Sequence, residues 1–346
     1  MAALLRKRVF IIGLIGLAVL FPLIIQNEYF LHVLTLAFIW MIAVYGLNLL
    51  AGYTGYLSLA HAGFFAIGAY ALGLLTVKAG MNYWIALVLA CLITSGIGFL
   101  VGLVALRTRE HFFAIYTLCV GYIIYLVIDK WDSLTGGVRG LIGIPAPANI
   151  GPVSFENPLS QYYFILAFLL LTILVMYRIV HSLTGRTFMA IRNSEELAQT
   201  LGISTMKNKL LVFVLSTFFA GLAGALYASF IRFIGPDIGY ITIIFDLLTY
   251  LLVGGIGTLA GPVVGTFLVV WVSQSLQFLQ DYRMLIFGPL LTLLIIFYPR
   301  GIVGAFYEWK MKRTGKKRRQ ARPDRRKPEP TYAATQTSSE KKVKEG

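Results

Sequence analysis

The sequence predicts an all-α, polytopic membrane protein, because its composition, its hydropathy and the length of its apolar runs agree. Of its 346 residues, 58% are hydrophobic and only 13% are charged, whereas soluble domains carry roughly 25% charged residues. The mean hydropathy is +0.77. Apolar residues occur in long runs, and a helix needs about 20 such residues to cross the hydrocarbon core of a bilayer. A soluble globular class is therefore excluded.

Ten apolar runs are candidate membrane spans, and glycine or proline interrupts some of them. They cover residues 9–25, 31–50, 58–77, 83–106, 111–129, 161–180, 209–231, 240–254, 262–279 and 283–298. A hydropathy pattern establishes that a span exists better than it establishes where the span ends. We therefore expect about ten transmembrane helices with Gly/Pro-broken segments.

The positive charges predict which side of the membrane each connection faces. Cytoplasmic connections are enriched in Lys and Arg, and three basic residues at positions 6–8 precede the first run. Counting crossings from there places the segment 178–209, with five basic residues, in the cytoplasm. The same count places 130–160 and 232–239 outside. An even number of spans puts both the N-terminus and the C-terminus in the cytoplasm.

This topology divides the chain into two regions. Residues 1–309 form the transmembrane domain, with an external loop at 130–160 and a charged cytoplasmic loop at 186–209. Residues 310–346 hold 14 Lys/Arg against 4 Asp/Glu and few apolar residues, so we expect a disordered, basic cytoplasmic tail. Such a tail is typical of the cytoplasmic side, where it contacts anionic membrane lipid. We expect no nucleic-acid partner, despite the net charge of +15.

Two glycine-rich stretches, 52–55 and 254–262, interrupt the apolar pattern. Broken backbone at membrane depth must be shielded by protein or line a cavity, because its polar groups need partners. A shift of 202 positions aligns the two stretches with seven identities in nineteen positions. Transporters are often built from internal repeats; chance similarity between two Gly- and Leu-rich stretches is the alternative.

Polar and glycine positions within the spans are the candidates for a translocation pathway. Asp246 lies in the eighth span, where it either faces a cavity or is wetted from outside near the span end. His61 follows the first break and either lines a pathway or is packed with a hydrogen bond. The predicted pathway residues are the polar and glycine positions Gly52, Gly55, Ser58, His61, Asp246, Gly254, Gly255 and Gly257, together with the apolar Phe65, which aligns with Phe267 under the 202-residue shift.

The charged loop at 186–209 contains a short predicted helix. Ser194 is a suitable N-cap residue, and the two glutamates after it are favourable in a first helical turn. Leu197 and Leu201 fall on one face at a spacing of four residues, and Gly202 can end the helix. A helix of this kind either packs on its own bundle or fits a groove in another protein.

The sequence gives no reason to expect an enzyme or a metal site. Its four histidines are scattered over different spans, and it has no HExxH pair, no nucleophile elbow and no GxxxxGK[ST] phosphate loop. Cys91 and Cys119 both lie in apolar runs, where core packing is a better interpretation than a disulfide or a metal site. We therefore expect no catalytic residue, no metal and no ATP hydrolysis by this chain.

Several motifs resemble one family of permeases. Glu196-Leu197-Ala198, followed by Gly202, resembles the EAA-x3-G loop by which ABC importer permeases contact their ATPase, with Leu in place of the middle Ala. Residues 58–70 (SLAHAGFFAIGAY), 135–145 (TGG through Ile-Pro), 254–262 (GGIGTLAGP) and 298–301 (YPRG) resemble the LivM branch of branched-chain amino acid permeases. The resemblance covers roughly residues 30–304 in the same order.

The resemblance implies an importer core of two permease subunits, this chain and a LivH-like partner, in a bacterial plasma (inner) membrane. Two cytoplasmic ABC ATPase subunits and a soluble solute-binding protein complete it, so ATP is used by the partners and this chain needs no cofactor. Its expected role is to form the path for leucine, isoleucine and valine. The implied ATPase-coupling residues are Arg192, Glu195, Glu196, Ala198 and Gly202.

Three other functions stay open at this point. The same family includes permeases for urea and short amides, so the resemblance implies the transport machine more firmly than its substrate. An ion-coupled secondary transporter would need a more convincing intramembrane acid or basic relay than Asp246. An integral membrane enzyme would need His, Asp or Glu residues clustered at one membrane interface.

Overall fold

The computed structural model describes residues 16, 18–22, 27–108, 110–149, 154–275 and 301–305. The predicted span 283–298 and the predicted tail 310–346 lie outside the described residues, as does most of the predicted span 9–25. The chain divides into two compact units, Met1–Gly304 and Ala305–Gly346. All the helices and strands named in the next paragraph lie in the first unit.

Eleven α-helices and two short strands occur among residues 27–108, 110–149 and 154–275. The helices are α1 Glu28–Leu47, α2 His61–Gly73, α3 Tyr83–Ala105, α4 Glu110–Lys130, α5 Asp132–Thr135, α6 Pro158–His181, α7 Leu183–Asn193, α8 Glu195–Thr200, α9 Thr205–Ile231, α10 Ile241–Gly254 and α11 Gly261–Ser275. Asn48–Gly52 and Leu74–Lys78 continue α1 and α2 as π-helical turns, and Gly137–Arg139 and Pro236–Gly239 are 3₁₀ turns. The strands are β1 Leu141–Ile142 and β2 Phe233–Ile234.

Six of the described helices are long and apolar enough to cross a membrane. They cover Glu28–Gly52, His61–Lys78, Tyr83–Ala105, Phe112–Lys130, Pro158–His181 and Thr205–Ile231, and each matches one predicted span. The predicted span 240–254 corresponds to the 14-residue helix α10, and the described part of the predicted span 262–279 belongs to α11. The glycine break lies between these two helices.

Polar residues begin several of these helices. The Asn27 side chain accepts a hydrogen bond from the Tyr29 amide at 3.0 Å and caps α1. Asn82 does the same for α3 through the Trp84 amide, at 2.9 Å. Pro158 occupies the first turn of α6, where its missing N–H has no helical partner to lose.

The core is built around α9, which packs against α1, α2 and α3. Small residues lie where these helices meet and let them approach closely. A β-carbon at Gly221 would meet the side chain of Thr94, and one at Gly224 would overlap the backbone of Phe65. Outward-facing apolar residues cover α3 and α4, as expected where a helix faces lipid.

The connections between helices gather at two ends of the bundle. Leu141 pairs with Ile234, and Ile142 with Phe233, in an antiparallel ladder. This small sheet is a departure from an all-α fold, and it joins the loop 130–160 to the turn 232–239 at one end. The α9 helix has 27 residues and separates that end from the segment 183–204 by about 40 Å. This grouping agrees with the alternation predicted from the charges.

Candidate functional site

The charged segment between α6 and α9 forms two helices, of which the sequence predicted one. Ser182 caps α7 by accepting from the Gly185 amide at 3.3 Å, and Ser194 caps α8 by accepting from the Leu197 amide at 3.2 Å. Gly202 has a φ of 79°, a left-handed conformation that glycine adopts without the strain of a β-carbon. The predicted cap and the predicted helix end are therefore confirmed, whereas α7 was missed.

The α8 helix turns its alanine inward and its leucines outward. Ala198 is buried, whereas Leu197 is 62% exposed and Leu201 is 72% exposed. Glu196 is exposed as well. An exposed apolar pair at positions i and i+4 can fit a groove in another protein. In this chain Ala198 packs on the bundle, whereas the two leucines do not.

The two glycine breaks meet each other in the folded chain. Asn48, just before the first break, accepts a hydrogen bond from the Gly257 amide at 2.8 Å and donates to the Thr258 carbonyl at 2.9 Å. Tyr45 donates to the Leu259 carbonyl at 2.7 Å. Gly301 lies against Gly255, because a β-carbon at position 301 would overlap the Gly255 backbone. We call Asn48, Gly52, Gly255, Gly257 and Gly301 the glycine junction.

Close backbone contact explains the glycine at position 52. A β-carbon there would lie 2.6 Å from the amide nitrogen of Gly257 and 2.8 Å from its α-carbon. Both are backbone atoms, so the clash could be relieved only by moving the two breaks apart. The junction therefore depends on the missing side chain rather than on backbone freedom at this position.

Arg192, at the end of α7, joins this segment to the glycine junction. Its Nη1 donates a hydrogen bond to the Gly52 carbonyl oxygen. The same guanidinium lies beside Gly257, and the Arg192 side chain packs on Gly55. A charged donor makes a stronger hydrogen bond than a neutral one. Arg192, predicted as a coupling residue, is thus in contact with three of the predicted pathway glycines.

A second connection involves Tyr56, Glu195 and Lys209, which we call the Lys209 cluster. The Tyr56 hydroxyl donates to Glu195 Oε2 at 2.5 Å, and Lys209 Nζ donates to Glu195 Oε1 at 2.6 Å. Lys209 Nζ also donates to the Tyr56 hydroxyl at 3.2 Å and lies 4.9 Å from the centre of its ring. The Lys209 side chain is only 7% exposed and that of Glu195 26%. The ammonium is therefore largely desolvated but paired.

The cluster holds Glu195 in its ionised form. Partial burial raises the pKa of this carboxyl. Hydrogen bonds from Lys209 and Tyr56, together with the positive charge of Lys209, lower the pKa by more than burial raises it. The net result is a Glu195 pKa below its usual range. An ionised carboxylate accepts hydrogen bonds from both partners at once, so this shift and the observed geometry are consistent.

Three predicted pathway residues, Ser58, His61 and Phe65, are buried in packed positions. The Ser58 hydroxyl accepts from the Ala60 amide at 3.4 Å, and His61 Nε2 lies 2.9 Å from the Ala43 carbonyl oxygen. Phe65 packs between two aromatic rings, Trp40 and Tyr227. His61 therefore has the packed, hydrogen-bonded environment that was the alternative to a pathway position.

The remaining predicted pathway residues lie in two places. Gly52, Gly254, Gly255 and Gly257 belong to or adjoin the glycine junction, and Gly55 is exposed beside Arg192. Asp246 is half-buried within α10. The sequence did not single out a shallow apolar crevice between α2, α4 and the start of α10, which is lined by Gly63, Leu118, Gly121, Tyr122, Ile241 and Ile244, among others.

Nothing in the described residues resembles a metal centre. Within residues 27–108, 110–149 and 154–275, no three His, Cys, Asp or Glu side chains are grouped so that they could hold an ion. The polar chemistry of the site consists of hydrogen bonds and one ion pair that join separate segments of the chain. Such an arrangement can transmit a displacement, whereas bond-breaking chemistry would need a nucleophile or an acid–base pair.

Comparison with known proteins gives one consistent result. A family model described as "Branched-chain amino acid transport system / permease component" matches residues 29–296. The chain is 30% identical to the permease protein LivM of Escherichia coli (strain K12), over 86% of this chain and 75% of the relative. It is 26% identical to LivH of Salmonella typhimurium, over 81% and 98%. No solved structure matches it significantly.

Proposed function

The chain belongs to the permease family of branched-chain amino acid transport systems, and we propose that it is the LivM-type subunit of an ABC importer for leucine, isoleucine and valine. It is a transport subunit and not an enzyme. In this proposal a LivH-like second permease, two cytoplasmic ABC ATPase subunits and a soluble solute-binding protein complete the importer. The chain crosses a bacterial plasma (inner) membrane about ten times, with both termini in the cytoplasm.

The outward-facing leucine pair of α8 is the observation that carries the ATPase part of this proposal. Leu197 and Leu201 are exposed on a capped helix, and such a pair fits an apolar groove on a soluble protein. Glu196 is exposed beside them and adds a charge that a basic group on the partner can meet. Ala198 packs the helix onto the permease, and Gly202 turns the chain into α9. Arg192 and Glu195 instead form hydrogen bonds with other segments of this chain.

The opposite end of the bundle suits the solute-binding protein. The β1–β2 ladder holds the loop 130–160 against the turn 232–239, and Val138, Ile142 and Phe233 are exposed there. A fixed surface that combines apolar and charged groups is typical of a transient protein contact. Substrate released at this end would then enter the permease pair.

We place the translocation path along the crevice between α2, α4 and α10 and toward the two glycine breaks. The crevice is apolar, in keeping with aliphatic side chains, and its open side is available to a second permease. His61 and Phe65 are packed in this arrangement, so substrate passage requires the helices around them to move. That requirement suits a machine that alternates between two conformations.

Uptake into reconstituted vesicles tests this function. We expect radiolabelled leucine to accumulate only when the permease pair, the ATPases, the binding protein and ATP are all present. Uptake driven by a proton or sodium gradient without the ATPases would overturn the importer in favour of an ion-coupled transporter. Uptake of urea or a short amide in place of leucine would retain the importer and replace its substrate.

The docking role of α8 has its own test. We expect Glu196→Lys to abolish co-purification of the ATPase while the protein still inserts in the membrane, because a basic group replaces the exposed acid. Glu28→Lys is the matched control, since it makes the same change at an exposed position at the start of α1. Normal co-purification and uptake in Glu196→Lys would rule out this docking surface.

A further inference from the structure

We call the charged segment between α6 and α9, which contains α7 and α8, the coupling segment. Charged groups tie both of its helices to one short connector. The connector, residues 53–60, runs from the π-helical turn Asn48–Gly52 to the start of α2. At one end of it, Arg192 of α7 donates to the Gly52 carbonyl. In the middle of it, Tyr56 donates to Glu195 of α8. The coupling segment and the first glycine break are thus joined at two separate points.

Lys209, on a third segment of the chain, bonds both partners of the second connection. It lies in the first turns of α9, and its ammonium bonds both Glu195 and Tyr56. Removing the partners of a buried charge costs much more than an exposed ion pair contributes. The three groups are therefore expected to keep their contacts when the surrounding helices shift.

We propose that Tyr56 and Lys209 are positioning residues that make α8, the 53–60 connector and the first turns of α9 move as one body. This inference rests on the proposed function, in which the ATPase displaces α8. The displacement is delivered through Glu195 to Tyr56, and through Arg192 to Gly52, and so reaches the glycine junction. Neither Tyr56 nor Lys209 contacts substrate or ATPase in this arrangement; both act through Glu195.

The linkage can be tested by the number of substrate molecules taken up for each ATP hydrolysed. Tyr56→Phe removes a single oxygen atom, and we expect it to lower this ratio about 5-fold, the worth of one hydrogen bond. Lys209→Met removes the charge and keeps the length, and we expect a loss of roughly 10-fold or more. Lys209→Arg keeps a cation at the same place and should restore most of the ratio.

Controls separate this role from folding and from the proposed function. Tyr177→Phe makes the same change on an exposed ring of α6 and should leave the ratio unchanged. Complexes that contain Tyr56→Phe or Lys209→Met should still bind the ATPase and hydrolyse ATP, because the exposed leucines of α8 are unchanged. A wild-type ratio in Tyr56→Phe and Lys209→Met would overturn the linkage, and so would loss of ATPase binding. Failure of the wild-type complex to take up leucine would instead overturn the proposed function.

Discussion

The two glycine breaks share a sequence pattern but differ in what holds them. In the first, at 52–55, the Gly52 carbonyl accepts a hydrogen bond from Arg192. Tyr56, the next residue after this break, donates a hydrogen bond to Glu195. The second, at 254–262, is hydrogen-bonded by neutral side chains among the described residues, chiefly Tyr45 and Asn48, while the Arg192 guanidinium lies beside its Gly257. Tyr45 and Asn48 both come from the helix that leads into the first break. Two stretches of similar sequence therefore have unequal partners.

The difference between the partners of the two breaks indicates how a displacement of α8 reaches each of them. A displacement of α8 reaches the first break through charged groups and reaches the second mainly through Asn48. Neutral hydrogen bonds are weaker than charge-assisted ones, so the second break can separate from the first more easily than the first can separate from α8. If the junction opens during transport, we expect it to open between the two breaks.

Gly52→Ala should have the largest effect, because it forces the two breaks apart. The added methyl group would overlap backbone atoms of Gly257 and would also displace both Asn48 hydrogen bonds. We expect a loss of roughly 3 kcal/mol in unfolding free energy, from overpacking together with lost hydrogen bonds, and no uptake. Thermal unfolding of the purified permease in detergent measures the first quantity, and vesicle uptake measures the second.

Gly96→Ala is the matched control, since a β-carbon at that position on α3 meets no atom within 4 Å. In a helix interior this change should stabilise by up to about 1 kcal/mol. Equal stability of Gly52→Ala and Gly96→Ala would mean that the two breaks are not in close contact, and their unequal partners would then indicate no direction of movement.

Asn48→Ala should have an intermediate effect, because it removes the hydrogen bonds between the breaks and leaves their backbones in place. The Gly257 amide and the Thr258 carbonyl lose their partner, at a cost of about 2 kcal/mol. We expect uptake to fall while ATPase binding through α8 is kept. Asn82→Ala, which removes one exposed cap bond of α3, should cost only about 1 kcal/mol. Full uptake in Asn48→Ala would show that the second break does not depend on the first.

The smallest effect concerns pH and tests the charged side of the comparison. The folded-state pKa of Glu195 is lowered, so the stability it contributes is present above the unfolded value of about 4.3. That contribution is lost as pH falls through the lowered folded-state pKa. The difference in melting temperature between wild type and Glu195→Gln should therefore be constant between about pH 5 and 8 and shrink in stronger acid. A difference that already disappears at neutral pH would contradict the ionised pair.

Local sequence signals predicted much of this architecture. Apolar runs indicated six helices, because a stretch of about 20 such residues has few other stable environments. Ser194 and Gly202 marked the two ends of α8, since capping and left-handed backbone conformations depend on the residue itself. The small residues of α9 indicated close helix packing, although not which helices would meet there.

The contacts that join distant segments were missed. Lys209 was counted only as a positive charge on the cytoplasmic side, yet a lysine at the start of an apolar span is expected to need a partner. Asn48 is a polar residue within an apolar run, so it is expected to need a hydrogen-bond partner for the same reason. Neither residue could be matched to its partner, because Tyr56 and Gly257 are brought near only by the folded bundle. The π-helical turn before Gly52 likewise has no local signature.

The hydrogen bonds of Asn48 also have a consequence for biosynthesis. Its two partners lie 209 and 210 residues further along the chain, and a ribosome makes the N-terminal part first. The side-chain amide of Asn48 is buried in the finished protein. It has no partner in the second break until that break has been synthesised and inserted. A chain that stops before residue 258 keeps this group unsatisfied, at a cost of about 1–3 kcal/mol. An unfinished permease therefore lacks the two hydrogen bonds that join its first break to the second.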